Sequence, residues 1–205
     1  TRRGKTQDMS EAERRKAVLK QLGNANFHKL DKVSTELFAL TYGALVKQIL
    51  ADYESTTKTN EQLKKLGYNI GTKIVDEFLA KANIGACHSL AETAEILAKV
   101  AFKMFLGTHV DVVDDGAAST PDAFRLRFAD NPLAEFVELP DEYAVGSERL
   151  EYSGLLCGII RGALEMVGMR VEAQLSADTL WGDEATEISV RLVEMIDEVY
   201  MDDDD

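Results

Sequence analysis

Proline and cysteine are scarce in this sequence, and each scarcity excludes a class of protein. Three prolines and 14 glycines in 205 residues are too few for long linkers between domains. The two cysteines, Cys87 and Cys157, lie far apart and show no metal-ligand spacing. Two thiols do not form the disulfide framework of a small secreted protein, so we expect a reducing compartment. The length suits one domain with a substantial core.

Positive charge is also scarce, since 23 basic residues face 36 acidic ones and the net charge is −13. This balance predicts no nucleic-acid partner. The charge is uneven, because residues 1–30 carry a local charge of +5 and residues 31–205 carry −18. We predict a basic flexible extension over residues 1–29, a single domain over 30–196 and an acidic tail over 197–205. An acidic run of this kind is usually solvated and is sometimes a docking element.

Apolar residues recur at helical spacing in several segments of the first half of the chain. A serine followed three residues later by glutamate forms a capping-box pattern at Ser10–Glu13 and again at Ser89–Glu92. The predicted helices cover Ser10–Leu22, Ser34–Tyr53, Asn60–Ala82 and Ser89–Leu106.

The second half alternates apolar and polar residues, as half-buried strands do. Phe124–Phe128 has this pattern, and a shorter strand is predicted at Val110–Val113. Val171–Leu175 and Ile188–Leu192 flank the turn residues Gly182-Asp183, which predicts a hairpin. Helices followed by antiparallel strands, with a late helix between them, indicate an α+β domain.

The late helix, predicted over Leu150–Gly168, is apolar on most sides and carries a stripe of glycine. Gly154, Gly158 and Gly162 lie four residues apart. Each glycine costs a helix interior roughly 1 kcal/mol relative to alanine, so we expect something to approach the backbone closely. A packed neighbouring helix and an apolar ligand such as an acyl chain both fit. Similar small-residue faces occur on the second and third main helices, at Gly67, Gly71, Ala94, Ala98 and Ala101.

Motifs for the common catalytic classes are missing from the sequence. There is no Walker-type phosphate loop and no G-x-S-x-G nucleophile elbow. His28, His88 and His109 form no metal-ligand pattern. Cys87-His88 places a thiol beside an imidazole, but adjacent loop residues rarely bring a base within hydrogen-bond reach of the sulfur. We therefore predict no catalytic residue and no metal site, and a thiol-dependent hydrolase or acyltransferase stays a third hypothesis.

Cys87 lies two residues before Ser89, at the entrance of a predicted helix. The positive end of a helix dipole attracts anions, and the small residues Gly85 and Ala86 leave room for access. This setting suits a thiol that is acylated or otherwise modified, and it equally fits an unmodified cysteine. Cys157 lies within the apolar late helix and is predicted to be a core residue.

Six longer runs of residues are more specific than any short motif. They are Ser34–Val46, Leu66–Gly71, Asp76–Ala80, Ala98–Met104, Asn131–Pro140 and Leu156–Val167. Together they resemble the small subunits of the transport protein particle (TRAPP), of the Bet-three type. The resemblance extends from about Val33 to Leu192, in order and without large gaps.

This resemblance implies a helical layer of about four main helices packed with a twisted antiparallel sheet of about four strands. It implies a non-enzymatic scaffold subunit of a vesicle-tethering complex, which dimerises through helices with itself or with sister TRAPP small subunits. It also implies a contribution to nucleotide exchange on a Rab/Ypt GTPase in ER-to-Golgi and Golgi transport. The implied location is cytoplasmic, with at most peripheral contact with Golgi and ER-exit membranes.

The resemblance also implies a bound lipid. Members of the family carry a fatty acyl group in a hydrophobic tunnel, on a cysteine in the position matched by Cys87. The implied cofactor is a covalently bound, palmitate-like group, and Ala101 matches the tunnel-lining alanine of the third main helix. The alternative is a lipid-binding or acyl-carrying module that acts on membranes independently of the complex. The predicted tunnel lining is Ala94, Leu97, Ala98, Ala101, Gly154 and Gly158.

Three segments depart from the family's pattern. Ala86 stands where relatives typically have Arg, so any electrostatic help from that Arg is absent. The Asp-rich loop 108–123 replaces a segment that usually contains Asn-Trp. The chain ends in Tyr200–Asp205 rather than in the usual short ending, and an acidic tail could compete with phosphate or Mg²⁺ at the GTPase nucleotide site.

Overall fold

Seven helices make up about half of the residues that the computed structural model describes, which are residues 10–85, 87, 89–113 and 121–196. A π-turn over Leu97–Ala101 joins the fourth helix to the fifth, and a short 3-10 helix covers Thr179–Trp181. The helices are α1 (Glu11–Lys29), α2 (Thr35–Tyr53), α3 (Thr56–Ala82), α4 (Leu90–Ile96), α5 (Phe102–Leu106), α6 (Asp141–Ala144) and α7 (Gly154–Met166).

Serine side chains begin the longer helices of the first half. Ser10 and Glu13 form the predicted capping box, with the Glu13 backbone N donating to Ser10 Oγ at 3.3 Å and the Ser10 N donating to Glu13 Oε2 at 2.8 Å. Ser89 Oγ likewise accepts from Glu92 N at 3.2 Å. Each cap satisfies a backbone N–H that has no partner within its helix. The capping box is confirmed at Ser10, and Ser89 is confirmed as a cap.

Four strands form one antiparallel sheet in the order β1-β2-β4-β3. Phe124–Phe128 lies within the second strand, and the predicted hairpin is present as the pair β3–β4. The turn residue Gly182 has φ of 92°, in the left-handed region that glycine adopts without steric cost. The strands are β1 (Asp111–Val113), β2 (Ala123–Phe128), β3 (Met169–Ala177) and β4 (Thr186–Met195).

The core lies between one face of this sheet and the helices. Leu126 and Ile188, which pair across β2 and β4, are fully buried, and Leu63 of α3 lies in the same hydrophobic cluster. The alternate residues Arg125 and Glu187 form an ion pair at 2.9 Å on the other face of the sheet. A helical layer on an antiparallel sheet is the predicted α+β fold.

Helix α1 differs from the prediction for this part of the chain. The sequence predicted a short helix about Ser10–Leu22 within a flexible extension, whereas α1 continues to Lys29 and packs on α3, α4, α5 and the π-turn. Leu19, Gly23 and Asn26 are buried by this packing, so residues 11–29 belong to the folded unit. Residues 1–9 and the acidic tail 197–205 lie outside the described residues.

No helix in the described ranges combines the length and the apolar character that a membrane crossing requires. The same ranges contain no group of His, Cys, Asp and Glu side chains that could hold a metal ion.

Candidate functional site

An apolar cavity of about 530 Å³ lies among α3, the α4–α5 segment and α7. This volume falls within the range of roughly 300–1,000 Å³ that is typical of small-molecule sites. Cys87 and Thr93 are the only polar side chains among the described residues of its wall. The larger side chains of the wall include Ile70, Ile74, Phe78, Leu97, Phe102, Phe105, Leu155, Ile159 and Leu164.

Cys87 lies in the wall of this cavity, in the segment between α3 and α4. Asn83 ends α3 in a left-handed conformation with φ of 52°, and the Ser89 cap starts α4 two residues after the cysteine. The cysteine is partly buried and packs against both hydrophobic clusters of the protein. Its thiol therefore lies where the cavity meets the second, smaller cluster.

Only some of the predicted lining residues of α4–α5 reach the cavity. Leu97 and Ala101 are in its wall, whereas Ala94 and Ala98 are buried in the main cluster. The π-turn explains the division, because the Phe102 N–H bonds to the Leu97 carbonyl instead of the Ala98 carbonyl. This wider turn rotates Ala101 away from the face that a regular α-helix would give it. The predicted lining by Ala94 and Ala98 is thus corrected.

The glycine stripe of α7 faces α3 and does not line the cavity. A Cβ added at Gly158 would overlap the Lys64 carbonyl oxygen and lie 2.8 Å from Tyr68 N, and a Cβ at Gly162 would overlap the Tyr68 carbonyl oxygen. Gly154, at the start of the helix, meets only the side chains of Glu151 and Lys64. A packed neighbouring helix therefore explains the stripe, and the predicted lining by Gly154 and Gly158 is corrected.

Glycines of α3 complete the same contact from the other side. A Cβ at Gly67 would overlap the Leu155 carbonyl oxygen, and one at Gly71 would overlap the Ile159 carbonyl oxygen. The backbones of the two helices thus interlock through glycines of both, here called the glycine interlock: Gly67, Gly71, Gly158 and Gly162. Larger side chains beside this line, such as Ile70 and Ile159, are the ones that reach the cavity.

Cys157 has a different environment from Cys87. It is completely buried within α7 and belongs to the main cluster, as predicted. Burial raises the pKa of the Cys157 thiol from 9.0 to about 12, because a thiolate loses its hydration there. This thiol is therefore protonated and unreactive in the folded protein.

The wall residues predict the chemistry of the site. None of the described wall residues is a histidine, a carboxylate or a cation, and His88 lies outside the described residues. The site thus combines one partly buried thiol with hydrocarbon surface. This combination suits the attachment of an acyl chain to the thiol, with hydrocarbon surface beside it.

Sequence reasoning missed most of the cavity wall. Ile70, Ile74 and Phe78 recur every four residues on α3, where the sequence predicted a helix and no cavity wall. Their stripe runs beside that of Gly67 and Gly71. A line of large residues next to a line of glycines was the signal that could have located the cavity.

Helix α2 exposes a second apolar feature. Leu37, Leu40 and Leu45 are 61%, 66% and 40% exposed, and Phe38 contributes both to this face and to the cavity wall. An apolar face of this kind on a helix usually marks a contact with another protein.

The family model and the relatives in sequence point to one family. The model of the transport protein particle (TRAPP) component family matches residues 38–191. Trafficking protein particle complex subunit 3 of Dictyostelium discoideum is 49% identical over 179 residues, which is 87% of this chain and 94% of that protein. Transport protein particle subunit bet3 of Schizosaccharomyces pombe is 48% identical over 183 residues, with 87% and 94% covered.

A solved structure is similar in both sequence and fold. It is the crystal structure of a trafficking protein particle complex subunit 3 from Naegleria fowleri covalently bound to palmitic acid. It is 46% identical and has a TM-score of 0.76, covering 82% of this chain and all of that chain.

Proposed function

Because the chain belongs to the transport protein particle (TRAPP) component family, we propose that it is a non-enzymatic scaffold subunit of a TRAPP complex. Its cavity holds a fatty acyl chain attached to Cys87. The observation that carries the proposal is the apolar cavity of about 530 Å³ with a partly buried thiol in its wall. The palmitic acid that is bound covalently in the relative from Naegleria fowleri supports the same arrangement.

The attachment is a thioester. The Cys87 sulfur joins the carbonyl carbon of an acyl thioester donor, the donor's carbon–sulfur bond breaks, and the donor thiol leaves with the proton that Cys87 loses. Burying a dozen methylenes at about 0.8 kcal/mol each gives an upper bound of roughly 10 kcal/mol. A chain held inside the cavity cannot also insert into a bilayer, so the lipid completes the protein's own core.

The exposed apolar face of α2 supports the partner proposal. Leu37, Leu40 and Leu45 form a surface on which a sister TRAPP small subunit or a second copy packs its own helix. In this role the subunit contributes to nucleotide exchange on a Rab/Ypt GTPase in ER-to-Golgi and Golgi transport. It acts from the cytoplasm, with peripheral contact with those membranes. An affinity-tagged chain from its own cells should bring down other TRAPP small subunits, and purification of the chain alone would contradict this role.

Intact-mass spectrometry of protein from its own cells tests the acylation. The expected result is a fatty acyl mass increment that hydroxylamine removes, present in Cys157→Ser and absent from Cys87→Ser. An unmodified mass for the wild-type protein would overturn the proposal. A modified chain that fractionates with membranes but without sister subunits would instead favour the independent acyl-carrying module.

Thermal unfolding tests whether the acyl chain stabilises the fold. In acylated protein we expect Cys87→Ser to lower Tm more than Cys157→Ser, because it removes the lipid from the core. In protein made without an acyl donor the order should reverse. There, Cys157→Ser places a hydroxyl in an apolar core at a cost of about 1–3 kcal/mol, while the partly exposed Cys87 tolerates serine. Equal shifts in acylated protein would contradict the internal role of the lipid.

A further inference from the structure

Helix α1 packs on the same small cluster that Cys87 contacts. Leu19 of α1 joins Ala82, Ile96 and Val100 in this cluster, and Cys87 packs against it from the segment between α3 and α4. Leu22, one turn along α1, packs on the cluster as well. Cys87, which is partly buried, is therefore in contact outside the cavity with a cluster to which α1 contributes.

Close backbone packing holds the middle of α1 in place. A Cβ added at Gly23 would overlap the Lys99 carbonyl oxygen and lie 3.2 Å from Val100 Cα, so α1 rests directly on the π-turn. The buried Asn26 side chain donates from Nδ2 to the Ala82 carbonyl oxygen at 3.3 Å. This bond ties α1 to the last residue of α3, five residues before Cys87.

Two ion pairs join the start of α1 to α4. Arg15 pairs with Glu92, and Lys16 Nζ lies 3.0 Å from Glu95 Oε1. The connection from α1 to α2 is exposed over residues 31–34. Helix α1 is thus held by side-chain and backbone contacts with α3, α4 and the π-turn, and a short exposed connection tethers it to the rest of the chain.

The family model matches residues 38–191, so α1 lies before the segment that this model matches. The main cluster and the cavity wall are built without any residue of α1. Undocking of α1 would therefore expose the small cluster while the core between the sheet and the other helices stays intact.

We propose that α1 is a detachable cover that limits access of solvent and reagents to the Cys87 sulfur. Its role in the cell rests on the proposed acylation, because the cover would then slow loss of the lipid. In that loss, water adds to the acyl carbon, the carbon–sulfur bond breaks, and a fatty acid and the Cys87 thiol are released. Docked α1 reduces the access of water to this bond, and undocking of α1 increases it.

Thiol alkylation tests the cover without any acyl group. One carbon of the double bond of N-ethylmaleimide bonds to the Cys87 sulfur. The thiol proton moves to the other carbon of that double bond. In unacylated protein we expect Gly23→Val to speed alkylation of Cys87 by about tenfold or more. Ala25→Val is the matched control, because residue 25 is exposed on the same helix, and it should leave the rate unchanged.

The buried Cys157 reports whether a variant opens locally or unfolds. Local release of α1 leaves Cys157 protected, whereas unfolding exposes both thiols. The double charge reversal Arg15→Glu with Lys16→Glu sets carboxylates against Glu92 and Glu95, and it should give the same selective increase without overpacking. Unchanged Cys87 rates in both variants would overturn the proposal, and so would rates for both cysteines that rise together in both variants.

A second measurement addresses the thioester. In acylated protein, neutral hydroxylamine should release the lipid about tenfold faster from Gly23→Val than from Ala25→Val, and equal release rates would contradict the cover. Failure of the acylation proposal is seen separately, as a missing acyl mass. In that case the maleimide rates still decide whether α1 covers the thiol.

Discussion

Helices α3 and α7 meet in two different ways along their shared length. On one face the glycine interlock brings the two backbones together, and no added side chain fits between them. Beside that line, Ile70 and Ile74 of α3 and Ile159 and Ala163 of α7 border a cavity instead. One face of this helix pair is thus fully packed, and the neighbouring face is open.

This difference reverses a common expectation about small residues. The glycines close the space between the helices, because each missing Cβ is replaced by a carbonyl group of the other helix. The open space lies among larger side chains such as Ile74 of α3 and Phe102 of α5, which border the cavity without filling it. The glycine stripe therefore marks the place where the two helices leave no space, and the cavity lies beside it.

The packed face can be broken by one methyl group. Gly158→Ala should destabilise the protein by about 3 kcal/mol or more, because its Cβ meets the Lys64 carbonyl and the helices must separate. Gly154→Ala is the matched control on the same stripe, since it meets only side chains. It should change the free energy of unfolding by less than about 1 kcal/mol. Chemical denaturation measures the free energy of unfolding of both variants. Equal losses of stability would show that the interlock does not cause the destabilisation.

The buried thiol of Cys157, adjacent to Gly158, gives a pH-dependent test of the packed side. Its pKa is raised by burial from 9.0 to about 12, so the folded state keeps the proton that the unfolded chain loses. The stability that comes from this neutral thiol is complete below pH 9 and is lost as the pH rises towards 12. At pH 10 the wild-type protein should have lost about 1.4 kcal/mol more than Cys157→Ala, relative to pH 7. Parallel stability profiles would contradict the burial of this thiol.

The open face should accept added volume that the packed face rejects. Ala163→Leu adds three carbons in the cavity, next to Gly162 on the interlock. In unacylated protein it should stabilise the fold by up to about 1 kcal/mol, and in cells it should reduce the acyl mass increment on Cys87. Denaturation and intact-mass spectrometry measure the two effects. A loss of several kcal/mol would show that residue 163 has no free space beside it.

The regular elements of this fold were predictable because local signals and tertiary packing agree. The caps at Ser10 and Ser89, the alternation of Phe124–Phe128 and the β3–β4 hairpin all appear where the sequence placed them. Each depends on contacts within a few residues or on a strict two-residue period. Cys157 as a core residue follows in the same way from its apolar helix.

The parts that were mispredicted depend on distant contacts. The π-turn adds one residue to a helical turn, and no residue type in Leu97–Ala101 announces it, so Ala94 and Ala98 were placed in the wall with Ala101. Helix α1 has a weakly apolar sequence and folds onto partners that lie about 55 to 85 residues away in the chain, such as Ala82 and Lys99. The packing of α1 could therefore not be predicted from the sequence of the helix itself.

The glycine interlock is periodic, and a periodic contact has more than one possible register. Sliding α7 by one turn, about 6 Å, would bring Gly154 and Gly158 to the places of Gly158 and Gly162. Asn60 selects between these registers, because its side chain donates to the Arg149 carbonyl at 3.0 Å and accepts from Glu151 N at 2.8 Å, just before α7 begins. One amide side chain thereby anchors the segment before α7 to the start of α3 in the observed register.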